Sequence, residues 1–173
     1  MGDLVTERLV LHPLTVDESE RVAAGDSGGG SGWARGYPTP GDVSAARRFL
    51  MVCASTDDPQ PFGNYEIRRR EDGQAIGGIG FHGPADENGS VTIGYGLVWS
   101  AQGRGYASEA LRGLLSFARA SGVTSVKGDA DHGNLASHHV MLAAGMQPVG
   151  EDERVRYFEI AWTDTPAHTD PRA

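Results

Sequence analysis

Cysteine is nearly absent: Cys53 stands alone among 173 residues. A single thiol excludes an intramolecular disulfide and suits a reducing, cytoplasmic setting. Long apolar runs are missing, and no stretch approaches the roughly 20 residues that span a bilayer. The N-terminus lacks the basic-then-apolar order of a secretory signal. Positive charge is also short, with 15 Lys and Arg against 23 Asp and Glu and a formal charge of −8. That balance argues against the clustered basic surface of a sequence-independent nucleic-acid binder. Neither nucleic acid nor membrane is therefore expected as a partner. The acidity suits a cationic partner such as an amine, and serves solubility equally well. No internal repeat and no second domain are visible, so residues 1–162 read as one domain and 163–173 as a polar, proline-containing tail.

Glycine is plentiful, at 25 residues, and two glycines mark the stretch around which the chain is organised. Val91 to Trp99 is an apolar, β-favouring run, and a helix is expected after Ala107. Between them lies Gln102-Gly103-Arg104-Gly105-Tyr106-Ala107. A strand feeding a helix through such a turn leaves backbone N–H groups unpaired at the positive end of the helix dipole. The turn is suited to a phosphate or pyrophosphate.

The flanking segments follow ordinary periodicities. Thr6 to Leu14 alternates as a strand, and Thr15 with Glu18 forms a capping box for a helix to about Ala24. Gly25 to Gly36 reads as a glycine-rich loop with Trp33 and Tyr37 at its far end, either as a substrate-facing lid or as an anchor to the core. Asp42-Val43-Ser44-Ala45 is expected to open a second helix, with Val43, Ala46, Leu50 and Cys53 or Ala54 inward. Phe62 to Arg70 and Gln74 to Phe81 read as paired strands, and Asn88-Gly89 as a turn into the next. Ala107, Ala110, Leu111, Leu114, Leu115 and Ala118 form one buried helical face. Val123 to Lys127 then completes a βαβ crossover. A shorter helix, Asn134 to Ala144, with Ala136, Val140, Ala143 and Ala144 inward, and two closing antiparallel strands follow. The fold class is α+β: a mixed, mostly antiparallel sheet with one parallel crossover, flanked by helices.

This order and two motifs resemble the GNAT superfamily of N-acetyltransferases. Gln102, Gly105 and Ala107 match the defining positions of its Q/R-x-x-G-x-G/A signature. Asn134-Leu135-Ala136-Ser137 with Gly145-Met146 is similar to its N-x-x-S…G-F segment, with Met146 where Phe is usual. Thr6 to Leu11 and Ile93-Gly94-Tyr95 resemble the branch of ribosomal-protein N-terminal acetyltransferases. The resemblance implies acetyl-CoA as acyl donor, its pyrophosphate held by the backbone of Gln102, Gly103, Arg104, Gly105, Tyr106 and Ala107. It implies that Leu97, Val98 and Trp99 pair with the pantetheine arm, that Asn134 bonds the same arm while capping its helix, and that Ser137 donates to the coenzyme sulfur. Arg104 either pairs with phosphate or is solvated. The implied acceptor is a small-molecule primary amine attacking directly in a ternary complex, or alternatively a peptide N-terminus. Homodimers are common in the family.

The chain departs from the branch at Thr92, where Glu usually serves as base. His82, Asp131 and Glu159 are substitutes, and His82 has the best intrinsic match, near 6.5. The departure also motivates a non-enzymatic reading as a degenerate acyl-CoA-binding module. Backbone N–H groups beside a bulge at Gly94-Tyr95-Gly96 would polarise the carbonyl. Trp33, Tyr37, Thr92 and Tyr157 are the candidate acceptor-lining residues. No metal site is expected: the loop starting at Asp129 has Val140 where a calcium loop needs Glu, and His138 and His139 diverge on their helix. The histidines are assigned to a polar face and Cys53 to an inert apolar stripe.

Overall fold

The computed structural model describes residues 2–25 and 32–162; residues 26–31 of the glycine-rich loop and the 163–173 tail lie outside it. Eight strands form one sheet in the order β1-β2-β3-β4-β5-β6-β8-β7. They are β1 (Leu4–Val5), β2 (Leu9–Pro13), β3 (Asn64–Arg69), β4 (Ala75–Phe81), β5 (Ser90–Leu97), β6 (Ser125–Asp131), β7 (Gln147–Glu151) and β8 (Val155–Ala161). The helices are α1 (Val16–Ala24), α2 (Pro40–Ser55), α3 (Tyr106–Ala120) and α4 (Leu135–Ala143). Every described strand pair is antiparallel except β5–β6, the crossover carried by α3.

The two faces of the sheet differ in chemistry. Leu9, Leu11, Tyr65, Ile67, Ile79 and Ile93 are buried in the core, and α3 closes that side with Ala110, Leu111, Leu114, Leu115 and Ala118. Burial of a Leu side chain contributes about 1.5–3 kcal/mol. Paired residues share a face, so Asn64 and Glu66 lie beside Gly80 and Gly78, and these beside Gly94 and Gly96. This second face, under α1 and α2, is polar and floored by four glycines.

Several sequence expectations shift. The second helix begins at Pro40 with Thr39 as its cap and Asp42 closing the capping box; Ala46 and Phe49 are its buried residues. The strand expected to run to Trp99 ends at Leu97, and Trp99 starts a 3-10 turn with 87% of its surface exposed. On α4 the buried residues are His138 and Met141; of those expected inward, Val140 and Ala144 pack partly against the core, whereas Ala136 and Ala143 are exposed. His138 is thus no polar-face histidine: its Nε2 lies 3.0 Å from the Asp131 carbonyl and its ring packs on Phe158. Short hydrophobic periodicity on a nine-residue helix was outweighed by the histidine's capacity to satisfy its polar edge while burying its ring.

Candidate active site

The first turn of α3 is built to be left open. Thr15, Thr39 and Asn134 cap α1, α2 and α4 through their side chains, whereas α3 starts at Gly105 with no side-chain cap. Its leading N–H groups have no acceptor within the helix. Gly105 has φ of 81°, and a Cβ there would also lie 3.3 Å from Arg8 Nη2, so any side chain strains the turn. Arg8 holds the turn from outside: Nη1 donates to the Arg104 carbonyl at 2.9 Å, Nε to Glu109 Oε1 at 2.7 Å, and the guanidinium lies 4.5 Å from the Tyr106 ring centre. Thr6 Oγ1 and the Arg8 main chain also donate to Glu109. Burial pushes the Glu109 carboxyl up, but these hydrogen bonds outweigh it and hold the pKa below its ordinary range.

Beside this turn β5 and β6 part. Their parallel pairing runs from Ser90–Ser125 to Thr92–Lys127 and stops, while β5 continues against β4 to Leu97. His82 N–H donates to the Thr92 carbonyl, and Val98 N–H to that of Ile76. Even positions of β5 therefore face β4, and Tyr95 and Leu97 turn their main chains into the gap. The β4–β5 register is uninterrupted, so the bulge expected at Gly94–Gly96 is absent; divergence of the strands frees the backbone instead. Of the three residues expected to pair with an extended arm, Leu97 alone faces the gap. Val98 is engaged by β4, and Trp99 lies outside the strand.

A cavity of about 370 Å³ follows the gap and the turn, lined by Leu97, Gln102, Gly103, Gly105, Tyr106, Ala107, Asn134 and Ser137 among others. Ala107, expected in the core, lies at this cavity wall. The Arg104 side chain is exposed and outside the lining. Gln102 Nε2 donates to the Leu97 carbonyl at 3.2 Å. Asn134 Oδ1 accepts from Ser137 N–H at 3.1 Å, which fixes the start of α4.

On the polar face a second cavity, about 210 Å³, lies beneath α2. Tyr37, Asp42, Arg48, Asn64 and His82 line it over the glycine floor. Tyr95 and Gly96 belong to both cavities, so β5 is the shared wall. The Tyr95 hydroxyl donates to the Ser137 carbonyl at 3.1 Å and lies 2.7 Å from Ser137 Oγ. Burial raises the Tyr95 pKa above 10.0, against the opposing Ser137 hydrogen bond.

Among the base candidates, His82 alone lines this second cavity; Asp131 and Glu159 do not. Its Nε2 stands 3.1 Å from where a Cβ on Gly94 would be, on the face that Thr92 shares. Withdrawal of the ring from water, then the Arg48 charge, push its pKa below 6.5, while Asp129 opposes them. Tyr37 reaches the cavity and donates to Glu66 Oε2 at 3.0 Å. Trp33 lines neither described cavity; it bridges to Ala75 and packs edge-on against Tyr37 at 5.3 Å. Tyr157 also lines neither, its hydroxyl committed to Asp152 at 2.6 Å. Thr92 is adjacent but outside the lining.

Sequence reasoning missed Tyr95, Asp42 and the Arg8–Glu109 clamp. Asp42 was within reach, since Thr39-Pro40-Gly41-Asp42 carries a helix-start pattern. Tyr95, between Gly94 and Gly96, is the one large side chain of that stretch. The clamp spans 101 residues and leaves no local signal.

An uncapped helix start, a strand with free main-chain groups and a neighbouring cavity across that strand suit a transferase that holds a phosphorylated donor with an extended arm. The chain belongs to the GNAT family: residues 8–147 match its acetyltransferase domain. It is 26% identical over 148 residues to the uncharacterized N-acetyltransferase YoaA of Bacillus subtilis, covering 85% of this chain and 84% of that protein. Two solved structures share the fold. The ribosomal-protein-S5-alanine acetyltransferase from Vibrio fischeri has a TM-score of 0.70 at 13% identity, covering 96% and 100% of the two chains. The microcin C7 self-immunity acetyltransferase MccE, in complex with acetyl-CoA and AMP, has 0.64 at 15% identity, covering 91% and 94%. The chain is an N-acetyltransferase by family, and acetyl-CoA is the acyl donor in this family. The open α3 turn and the Leu97 and Tyr95 main chains fit that donor. Among the described residues no helix is long and apolar enough to cross a membrane.

Proposed function

We propose that the chain transfers an acetyl group to the primary amine of a small molecule, by direct attack in a ternary complex. The observation that carries this is the meeting of two cavities at Tyr95 and Gly96. The first presents donors suited to pyrophosphate and an extended arm; the second is smaller, sets Asp42, Arg48 and Asn64 among apolar side chains, and brings His82 beside the shared strand. Acetyl-CoA supplies, when bound, an acetyl group activated as a thioester.

The protein's own groups would divide the proton work. An ammonium has no lone pair, so an acceptor must lose a proton before attack, and His82 is neutral at pH 7 and able to take it. Tyr95 stays protonated, and its hydroxyl is within hydrogen-bond distance of Ser137 Oγ. With the Tyr95 proton directed at the Ser137 carbonyl, the Ser137 hydroxyl at the donor-cavity wall would give its proton to the leaving thiolate and be reprotonated by water. The Tyr95 N–H, turned into the gap, is a donor for a developing oxyanion.

The test is release of free CoA from acetyl-CoA with a panel of small primary amines and of peptides. Faster turnover of small amines supports the proposal. Preference for peptide N-termini replaces the acceptor class, and tight acetyl-CoA binding without release for any acceptor favours a binding module.

A further inference from the structure

The cavity beneath α2 is electrically polarised. At one end Asp42 stands over Gly78, close enough that a Cβ on this glycine would overlap its Oδ1. Oδ2 accepts from Thr39 N–H at 2.9 Å and Thr39 Oγ1 at 2.8 Å. Oδ1 has no partner among the described residues, yet is not among the fully enclosed unpartnered atoms, so it is open to the cavity that Asp42 lines. Behind it lies buried Glu66. The neighbouring cation does not serve Asp42: Arg68 Nε is committed to Glu66 Oε1 at 2.7 Å, and its Nη2 lies 3.8 Å from Glu18. At the other end Arg48 faces His82, whose Nε2 stands over Gly94.

The glycine floor sets the distance between the two ends. Gly94 pairs with Gly80, which is two positions from Gly78 along β4. At about 3.3 Å per residue along β4 and about 4.8 Å across to β5, the footprints of His82 and Asp42 lie roughly 8 Å apart. An amine beside Arg48 is repelled as an ammonium and favoured as the neutral nucleophile. A cation at the opposite end meets an unshared carboxylate oxygen backed by a second carboxylate.

We infer that Asp42 anchors a second positive group of the acceptor, so that the substrate class is a primary amine carrying another cationic nitrogen several bonds away. This rests on the acetyl-transfer reading above and narrows it. The reaction keeps its balance: one nitrogen forms the amide and gives up a proton, the thiolate leaves and is protonated, and the anchored nitrogen stays charged.

The test compares α,ω-diaminoalkanes of three to six carbons with n-alkylamines of equal length, by CoA release and by mass of the product. Hydrogen bonding to a charged partner predicts a kcat/KM advantage of about ten- to a hundredfold for the best diamine, with a single acetyl group added. Asp42→Asn keeps an amide oxygen for the Thr39 N–H but lacks the charge, and should bring the ratio to within about threefold. Gly78→Ala, whose methyl displaces Oδ1, should do the same. Acetyl-CoA titration of both variants reports whether the fold is kept. Equal rates for diamines and monoamines, or a ratio unchanged in a folded variant of either kind, overturns the anchor while leaving acetyl transfer standing. Absence of CoA release with every amine overturns the underlying acetyl-transfer reading instead, and the anchor with it.

Discussion

A histidine at residue 82 sits beside a threonine at residue 92, and the proposed proton transfer rests on that pair. The His82 N–H donates to the Thr92 carbonyl, so the imidazole emerges next to the position where the family branch usually has Glu. Its pKa lies below the ordinary 6.5. The neutral, proton-accepting form therefore predominates at and above neutral pH and is lost only in acid. With both substrates saturating, kcat should fall below about pH 6.5 along a limb with unit slope. His82→Gln should remove that limb and lower kcat by about a hundredfold, while acetyl-CoA affinity is unchanged. A pH profile of the variant that keeps the limb would transfer the base to another group. His82 was legible as a candidate base from its residue type and its place at a strand end. Its position over Gly94 was not, because cross-strand neighbours are fixed by register, which two glycine-rich strands specify weakly.

Elements with strong local signals were read correctly, and elements whose ends depend on distant partners were not. The Thr15–Glu18 box and the leucine stripe of α3 are local, and both stand where the periodicity put them. The phosphate-suited turn was visible through Gly103 and Gly105, but not its fastening to the segment between β1 and β2. That fastening predicts an element-scale effect. Glu109 accepts from Thr6, from the Arg8 main chain and from the Arg8 guanidinium, and its side chain is only 11% exposed. Glu109→Gln should cost roughly 1–2 kcal/mol of stability at pH 7. Because the folded-state pKa is depressed below 4.5, this stabilisation is present above the unfolded value and lost as pH falls through the folded one. The difference in denaturation midpoint between parent and variant should therefore vanish in strong acid. A difference that persists there would mean that the carboxylate charge is not what the clamp uses.

Across the whole molecule the sheet is a partition with one apolar and one polar side, and β5 is where the two cavities touch through it. The alternation of Ile93, Gly94, Tyr95, Gly96 and Leu97 carried half of that arrangement in the sequence: large side chains toward α3 and α4, none toward α2. What occupies the space above the glycines could not be read, since Tyr37 and Asp42 come from around the start of α2 and His82 from the end of β4, some forty residues on. At this scale the family's donor should act as part of the structure. Acetyl-CoA at a hundred times its Kd stabilises the folded state by about 2.7 kcal/mol, which for a chain of this size raises Tm by roughly 5–10 °C. Gly105→Val, strained at positive φ, should abolish the shift. A Tm of the parent that does not respond to acetyl-CoA would remove the turn from the donor site.

The parting of β5 from β6 has one more consequence. A sheet margin with unsatisfied amides is a hazard when it lies outside, because any passing chain can adhere to it. In this protein the margin lines a cavity whose walls are completed by α3 and α4. A margin placed in such a cavity is offered to an extended arm rather than to the edge of another folded sheet. Amide exchange at Tyr95 and Leu97 should slow when the arm is bound, as if the sheet had been darned.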